Sequence, residues 1–138
     1  MTEEPSEELQ EFAGRLFDLA RAGEAEQLAA YVDNGVDVNL TNQAGDTLLM
    51  LAAYHDHPTL VEALASRGAD VDLLNDRGQS PLAGAAFKGY TEVARVLLKA
   101  GADPDLGEPS ARATAQYFGR EDITALLEDS TGEDPGRA

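Results

Sequence analysis

The feature that most constrains this chain is a stretch that repeats itself. Leu74 to Asp105, LNDRGQSPLAGAAFKGYTEVARVLLKAGADPD, falls on itself when slid back by 33 residues. Gly78 lands on Gly45, Ala85 and Ala86 on Ala52 and Ala53, and Gly101-Ala102-Asp103 on Gly68-Ala69-Asp70. Self-similarity at such a period demands a stack of small equivalent units, since one unit alone cannot bury its own apolar face. A chain of 138 residues has room for a few such units sharing one elongated core. Its 43% hydrophobic content agrees with a folded state.

Taken in order, the chain opens with an acidic tail, Met1 to Pro5. Leu9, Phe12, Leu16, Leu19 and Ala20 then recur at helical spacing, with Glu7 and Glu8 where a helix N-terminus favours negative charge and Gly23 as the stop. A second apolar face, Leu28, Tyr31 and Val32, ends at Asn34-Gly35. The second unit has a turn signal at Asn42 to Gly45, Thr47 as N-cap, and a short helix through Leu48, Leu49, Leu51, Ala52 and Ala53. Pro58 suits the first turn of its next helix, which carries Leu60, Val61 and Leu64 to Gly68. The third unit repeats each step: Asp76 to Gly78, Ser80 with Pro81, Leu82-Ala85-Ala86, Gly89, then Val93, Val96 and Leu97 to Gly101. The fourth is degenerate, with Ser110 to Gly119 aligning on Ser80 to Gly89 at an offset of 30 and Arg112 standing where Leu82 was. The expected units are 6–41, 42–74, 75–107 and 108–128, with disordered tails at 1–5 and 129–138.

These units resemble ankyrin repeats. The third supplies Gly78, Ser80-Pro81-Leu82, Ala85-Ala86, Gly89, Val93, Leu97-Leu98 and Gly101-Ala102-Asp103 of that motif; the second supplies Gly45, Thr47, Leu49, Ala52-Ala53, His57, Leu64 and Gly68-Ala69-Asp70. The first keeps only its latter part, Gly23 through Asn39. Met50 and Ala83 replace the motif's His, Leu48 replaces its Pro, and Asp56 its Gly. The resemblance implies an all-α solenoid of helix-turn-helix units joined by β-turn or hairpin arms, like small stand-alone ankyrin repeat proteins. It also implies a divergent first unit and a degenerate last one, polar outside, serving as caps.

Composition excludes more than it assigns. The chain has no cysteine, which removes disulfides, thiolate metal sites and a cysteine nucleophile, and fits a reducing compartment. The N-terminus lacks the basic and apolar regions of a signal peptide, and no apolar run approaches the ~20 residues of a membrane span. A cytoplasmic, soluble, monomeric protein is expected. The formal charge of −16 argues against nucleic acid and anionic membranes and permits a basic partner, although acidity also serves solubility on its own. No catalytic constellation stands out. His55 and His57 form an H-x-H, but no further His or Cys accompanies them and His57 holds the family's ordinary His position. Asp37, Asn39 and Thr41 begin like a calcium loop, yet Asn42 and Leu48 fill its Gly and acid positions. Asp70 with Asp72 and Asp103 with Asp105 are exits of successive units, too far apart for acid/base partnership. No cofactor is expected.

Surface recognition remains. The resemblance places partners on a concave face built from hairpin tips and the exposed side of each first helix. By position the tips are Gln43, Ala44 and Asp46, then Asp76, Arg77 and Gln79; the helix positions are Arg21-Ala22, Tyr54-His55, Phe87-Lys88 and Tyr117-Phe118. Tyr54, Phe87 and Tyr117 share one slot in three units and form an aromatic ladder, which either anchors a partner or shields the core. Leu40, Leu73 and Leu106 make a second row, which either packs the arms together or forms an exposed edge. The expected function is a non-enzymatic protein–protein interaction module binding through Tyr54, His55, Asp76, Arg77, Gln79, Phe87, Lys88, Tyr117, Gln43 and Asp46. Two alternatives are an acidic, immunity-like inhibitor that sequesters a basic partner by charge, and a metal-dependent activity at His55 and His57.

Overall fold

A computed structural model describes residues 6–131. Among the described residues there are helices and connecting arms but no strand, only an isolated bridge between Thr41 and Thr47. The helices are α1 (Glu7–Ala22), α2 (Ala25–Asp33), α3 (Leu48–Tyr54), α4 (Pro58–Ala65), α5 (Pro81–Lys88), α6 (Thr91–Lys99), α7 (Ala111–Tyr117) and α8 (Glu121–Thr131). Each odd-numbered helix pairs with its successor to form a unit, and equivalent helices of adjacent units pack together. Two layers result: α1, α3, α5 and α7 in one, α2, α4, α6 and α8 in the other.

The first helix of every unit starts the same way for the same reason. Ser6, Thr47, Ser80 and Ser110 each accept, through the side-chain oxygen, the backbone N–H three residues on, at 3.0–3.1 Å. Each such cap satisfies one orphan donor and contributes on the order of 1 kcal/mol. The second helices α2, α4 and α6 have no side-chain cap. In two of the four units, the residue before the second helix reaches instead into the preceding unit. His57 Nε2 donates to the Arg21 carbonyl at 2.7 Å, and Arg120 donates to the carbonyls of Ala86 (3.2 Å) and Phe87 (2.6 Å). These side chains lie against Gly23 and Gly89, both left-handed, where an added Cβ would meet the His57 ring at 2.5 Å and the Arg120 guanidinium at 3.2 Å. Glycine is required there twice over, by φ and by space. The equivalent slot in the second unit holds Asp56, which adopts φ 65° without that freedom.

The core lies between the two layers. Leu48, Leu49, Leu60, Leu64, Leu82, Leu97, Ile123 and Leu127 are essentially inaccessible, and burial of each such side chain stabilises the fold by about 2 kcal/mol. Ala52-Ala53 and Ala85-Ala86, also inaccessible, let successive first helices approach closely. The arms are knitted by a register that repeats with the units: Asn39 Oδ1 accepts from the Asp70 N–H and Asp72 Oδ1 from the Asp103 N–H, at 2.8 and 2.9 Å.

Two expectations change. Leu9 is 60% exposed, because α1 is 16 residues long while α3 has 7, so its first turn has no neighbouring helix to pack on. The helix of the last unit continues through Thr131, past the expected end at 128; the tails at 1–5 and 132–138 lie outside the described residues. Leu40, Leu73 and Leu106 are all half-buried, and Leu40 packs against the core, so the row belongs to the packing of the arms. Arg112, half-buried where Leu82 stands in the unit before, forms a two-pronged pair with Asp105 at 2.7 and 3.3 Å. Its hydrogen bond holds the Asp105 carboxyl below the usual range.

Candidate protein-binding groove

The first helices bury one face and leave the opposite face to solvent. On α3 everything from Leu48 to Ala53 is buried, so Tyr54 is the first side chain free to face outward. Helix α5 behaves alike, with Phe87 following the buried pair Ala85-Ala86. Between α3, α5 and α7 and under the hairpin tips lies a hollow of about 430 Å³, lined by Tyr54, Arg77, Gln79, Gly84, Phe87 and Phe118, with Ala83, Pro109 and Thr114. That volume falls within the range of sites that enclose a small ligand or an anchoring side chain.

The aromatic ladder is staggered. Phe87 meets Phe118 edge to face with centroids 5.3 Å apart, and Tyr117 meets Phe118 from the other side at 4.9 Å. Phe118, one residue beyond the slot of Tyr54 and Phe87, is therefore the ring that completes the groove wall. Tyr117 is 83% exposed and does not line the hollow. The same offset recurs one unit earlier, where Lys88, equivalent to Phe118, sits with Nζ 5.0 Å from the Tyr54 centroid. Lys88 and Phe118, the residues after the ladder positions of the last two units, thus lean back onto the preceding unit. His55 packs edge to face on Tyr54 at 5.9 Å, and its pKa is lowered first by burial and then by the charges of Arg21, His57 and Lys88.

The hairpin tips form the roof, and a buried asparagine holds them. Asn75 Oδ1 accepts the N–H groups of Arg77 and Gln79 at 3.0 Å each, while its Nδ2 donates to Asp46 Oδ1 at 2.9 Å and Gln79 Oε1 at 3.1 Å. Asp46 and Gln79 are thus part of the scaffold as well as of the surface. The Asp76 N–H donates to the Ala44 carbonyl at 3.0 Å, and the Asp76 carboxylate lies against Gly45 of the neighbouring tip. Asn42 forms the same turn one unit earlier, accepting from Ala44 and Asp46 at 2.9 Å. Gln43 is exposed at that tip, away from the hollow.

Of the ten residues expected at the interface, Tyr54, Arg77, Gln79 and Phe87 line one hollow, and Lys88 covers Tyr54. Gly84 was not among them, yet a Cβ there would lie 3.3 Å from the Tyr54 ring, so its bareness sets the groove's depth. Asn75 was also missed, although Asn three residues before Gly recurs at 42 and 75. As for the histidines, His57 Nε2 is committed to the Arg21 carbonyl, and no cluster of three possible metal ligands occurs among the described residues. Nor, among those residues, is any helix long and apolar enough to cross a membrane.

Residues 16–107 match the family model for ankyrin repeats in three copies. The chain belongs to the ankyrin repeat family. It is also 48% identical over 65 residues to a Pseudomonas aeruginosa protein that is named only for its ankyrin repeats. That match spans 44% of this chain and 38% of the relative. Ankyrin repeats are in general protein–protein interaction modules without enzymatic activity. The matched span leaves out the whole α7–α8 unit, in keeping with that unit's shortened turn and departures from the motif.

Proposed function

We propose that this ankyrin protein is a non-enzymatic module that takes a segment of a partner protein into the groove between α3, α5 and α7, on the concave side of the stack. One observation carries the reading: of six large apolar side chains left exposed among the described residues, three, Tyr54, Phe87 and Phe118, line this groove, and a fourth, Tyr117, packs on Phe118 beside it. A folded chain with an otherwise well-buried core gains nothing by leaving rings in water on three successive elements, whereas a binding surface uses rings as stiff, large-area anchors. Arg77 and Gln79 at the rim supply polar groups that orient what the rings hold. The test is capture from a lysate of the source organism with the native protein and with Tyr54→Ala/Phe87→Ala, each checked by thermal melting. A partner retained by the native chain and lost with the variant, at little cost in stability, supports the groove. A large fall in Tm would make the rings core elements and remove the basis of the reading.

The charge of −16 favours a second reading, an inhibitor that holds a basic partner against its acidic surface. Salt separates the two: a charge-driven complex weakens steeply between low and physiological ionic strength, and a ring-anchored one does not.

A further inference from the structure

The chain's negative charge is not spread evenly: the hollow is lined by one charged side chain, Arg77, and by no carboxylate. Among the described cations, Arg21, Arg67, Arg95 and Arg112 are paired with carboxylates. Arg120 is bound to backbone carbonyls, Arg15 lies over Phe12 on α1, and Lys99 is on α6 in the other layer. Arg77 and Lys88 remain, neither in an ion pair with a described carboxylate, and both at the groove.

The acids of the hairpin tips are directed away from the hollow's lining. Asp46 accepts from Asn75, and Asp76 is turned onto Gly45 of the adjacent hairpin. Glu108, on the short connector before Pro109, is exposed, and with Asp46 and Asp76 it makes up the negative charge at the rim that a ligand's carboxylate would meet. His55 packs edge to face on Tyr54 with centroids 5.9 Å apart, and its pKa is lowered first by burial and then by the charges of Arg21, His57 and Lys88.

We infer that the partner segment carries an Asp or Glu side chain close to the apolar residue that enters the aromatic hollow, so that a strongly acidic protein selects an acidic peptide. The inference rests on the groove reading and refines it. A carboxylate in the groove takes Arg77's two-pronged donors and Lys88's ammonium at contact distance, where charge-assisted hydrogen bonds are strongest. The acids elsewhere on the chain act over longer distances and are damped within about 8 Å at physiological salt. Lys88 over the Tyr54 ring is held where it can meet the carboxylate and the apolar anchor together.

The experiment is selection from a random-peptide display library against the native protein, Phe87→Ala, and Arg77→Glu/Lys88→Glu, with the fold of each checked by circular dichroism. The native protein is expected to enrich peptides with Asp or Glu within a few residues of an aromatic or aliphatic anchor. The charge-reversed protein is expected to keep the apolar preference while exchanging acid for Lys or Arg. It should also bind the peptides of the native pool roughly tenfold or more weakly. Should the charge-reversed chain lose its fold, Arg77→Gln/Lys88→Gln replaces it, with loss of acid enrichment as the expected result. Peptides that depend on Phe87 but show no excess of acid, or an excess that survives reversal, overturn the charge inference and leave the groove standing. No enrichment, or enrichment indifferent to Phe87→Ala, overturns the groove reading and this inference with it.

Discussion

Two hollows of nearly equal size lie on opposite layers of the stack. The one among the first helices measures about 430 Å³ and is walled by Tyr54, Phe87 and Phe118. The other, between α4 and α6, measures about 440 Å³ and is lined by Glu62, Ala65, Ser66, Glu92, Arg95, Val96, Lys99 and Ala100. Size does not separate them; lining and support do. Behind the second hollow, Arg95 is already satisfied by Glu92 on its own helix, 3.0 Å away, an exposed pair of the sort that contributes little to stability. The first hollow is roofed by tips locked through a buried side chain and floored by a helix that gives up a side chain at Gly84. One surface is solvated and generic. The other is ring-walled and braced by hydrogen bonds from a buried asparagine, as a preorganised binding site has to be.

The largest expected effect comes from removing the lock. Asn75→Ala strands two buried-side N–H groups and a carboxylate, and should lower the free energy of unfolding in urea by about 2–3 kcal/mol. Arg95→Ala, its counterpart at the other hollow, should change it by less than about 0.5 kcal/mol. Equal losses would erase the contrast between the two surfaces.

Filling the groove is the next step down. Gly84→Ala places a methyl group 3.3 Å from the Tyr54 ring while improving helix propensity by about 1 kcal/mol. Stability should therefore hold or rise as partner affinity, measured by calorimetry, falls roughly tenfold. Ser66→Ala at the other hollow should leave affinity unaltered. A Gly84→Ala protein that binds normally would show the hollow to be incidental.

The smallest effect is one of pH. Because His55's pKa is lowered on folding, the unfolded chain binds more protons, and this group's contribution is present above its ordinary value near 6.5 and lost as pH falls through the folded value. Tm should decline between pH 7 and 5 less steeply in His55→Gln than in the native chain. Parallel declines would show that neither burial nor the neighbouring cations act on this ring in the folded chain.

Much of this architecture was legible in the sequence because repetition does the reading: Thr47 and Ser80 cap helices, Gly23 and Gly89 take left-handed turns, and the paired alanines are buried, each where its copy implies. The groove was legible only in part. Aligning the fourth unit at an offset of 30 puts Tyr117 in the ladder, yet Phe118, like Lys88 one unit earlier, leans back onto the preceding unit and is the one that meets Phe87. That lean arises from helix packing across units and leaves no mark in spacing. Asn75's role depends on two tips meeting, Asp46 from one and Gln79 from the other, 29 and 4 residues away in the chain. Leu9 looks like core by periodicity and is exposed, because periodicity does not say where the neighbouring helix ends.

The most direct measurement is backbone amide exchange of the protein alone and saturated with its captured partner or a selected peptide. Added protection concentrated in the 75–80 turn and the ends of α3, α5 and α7, with α4 and α6 unchanged on their outer faces, is the expected result. Protection confined to the second-helix layer, or to the acidic first turns of α1, would contradict a partner held in the aromatic groove.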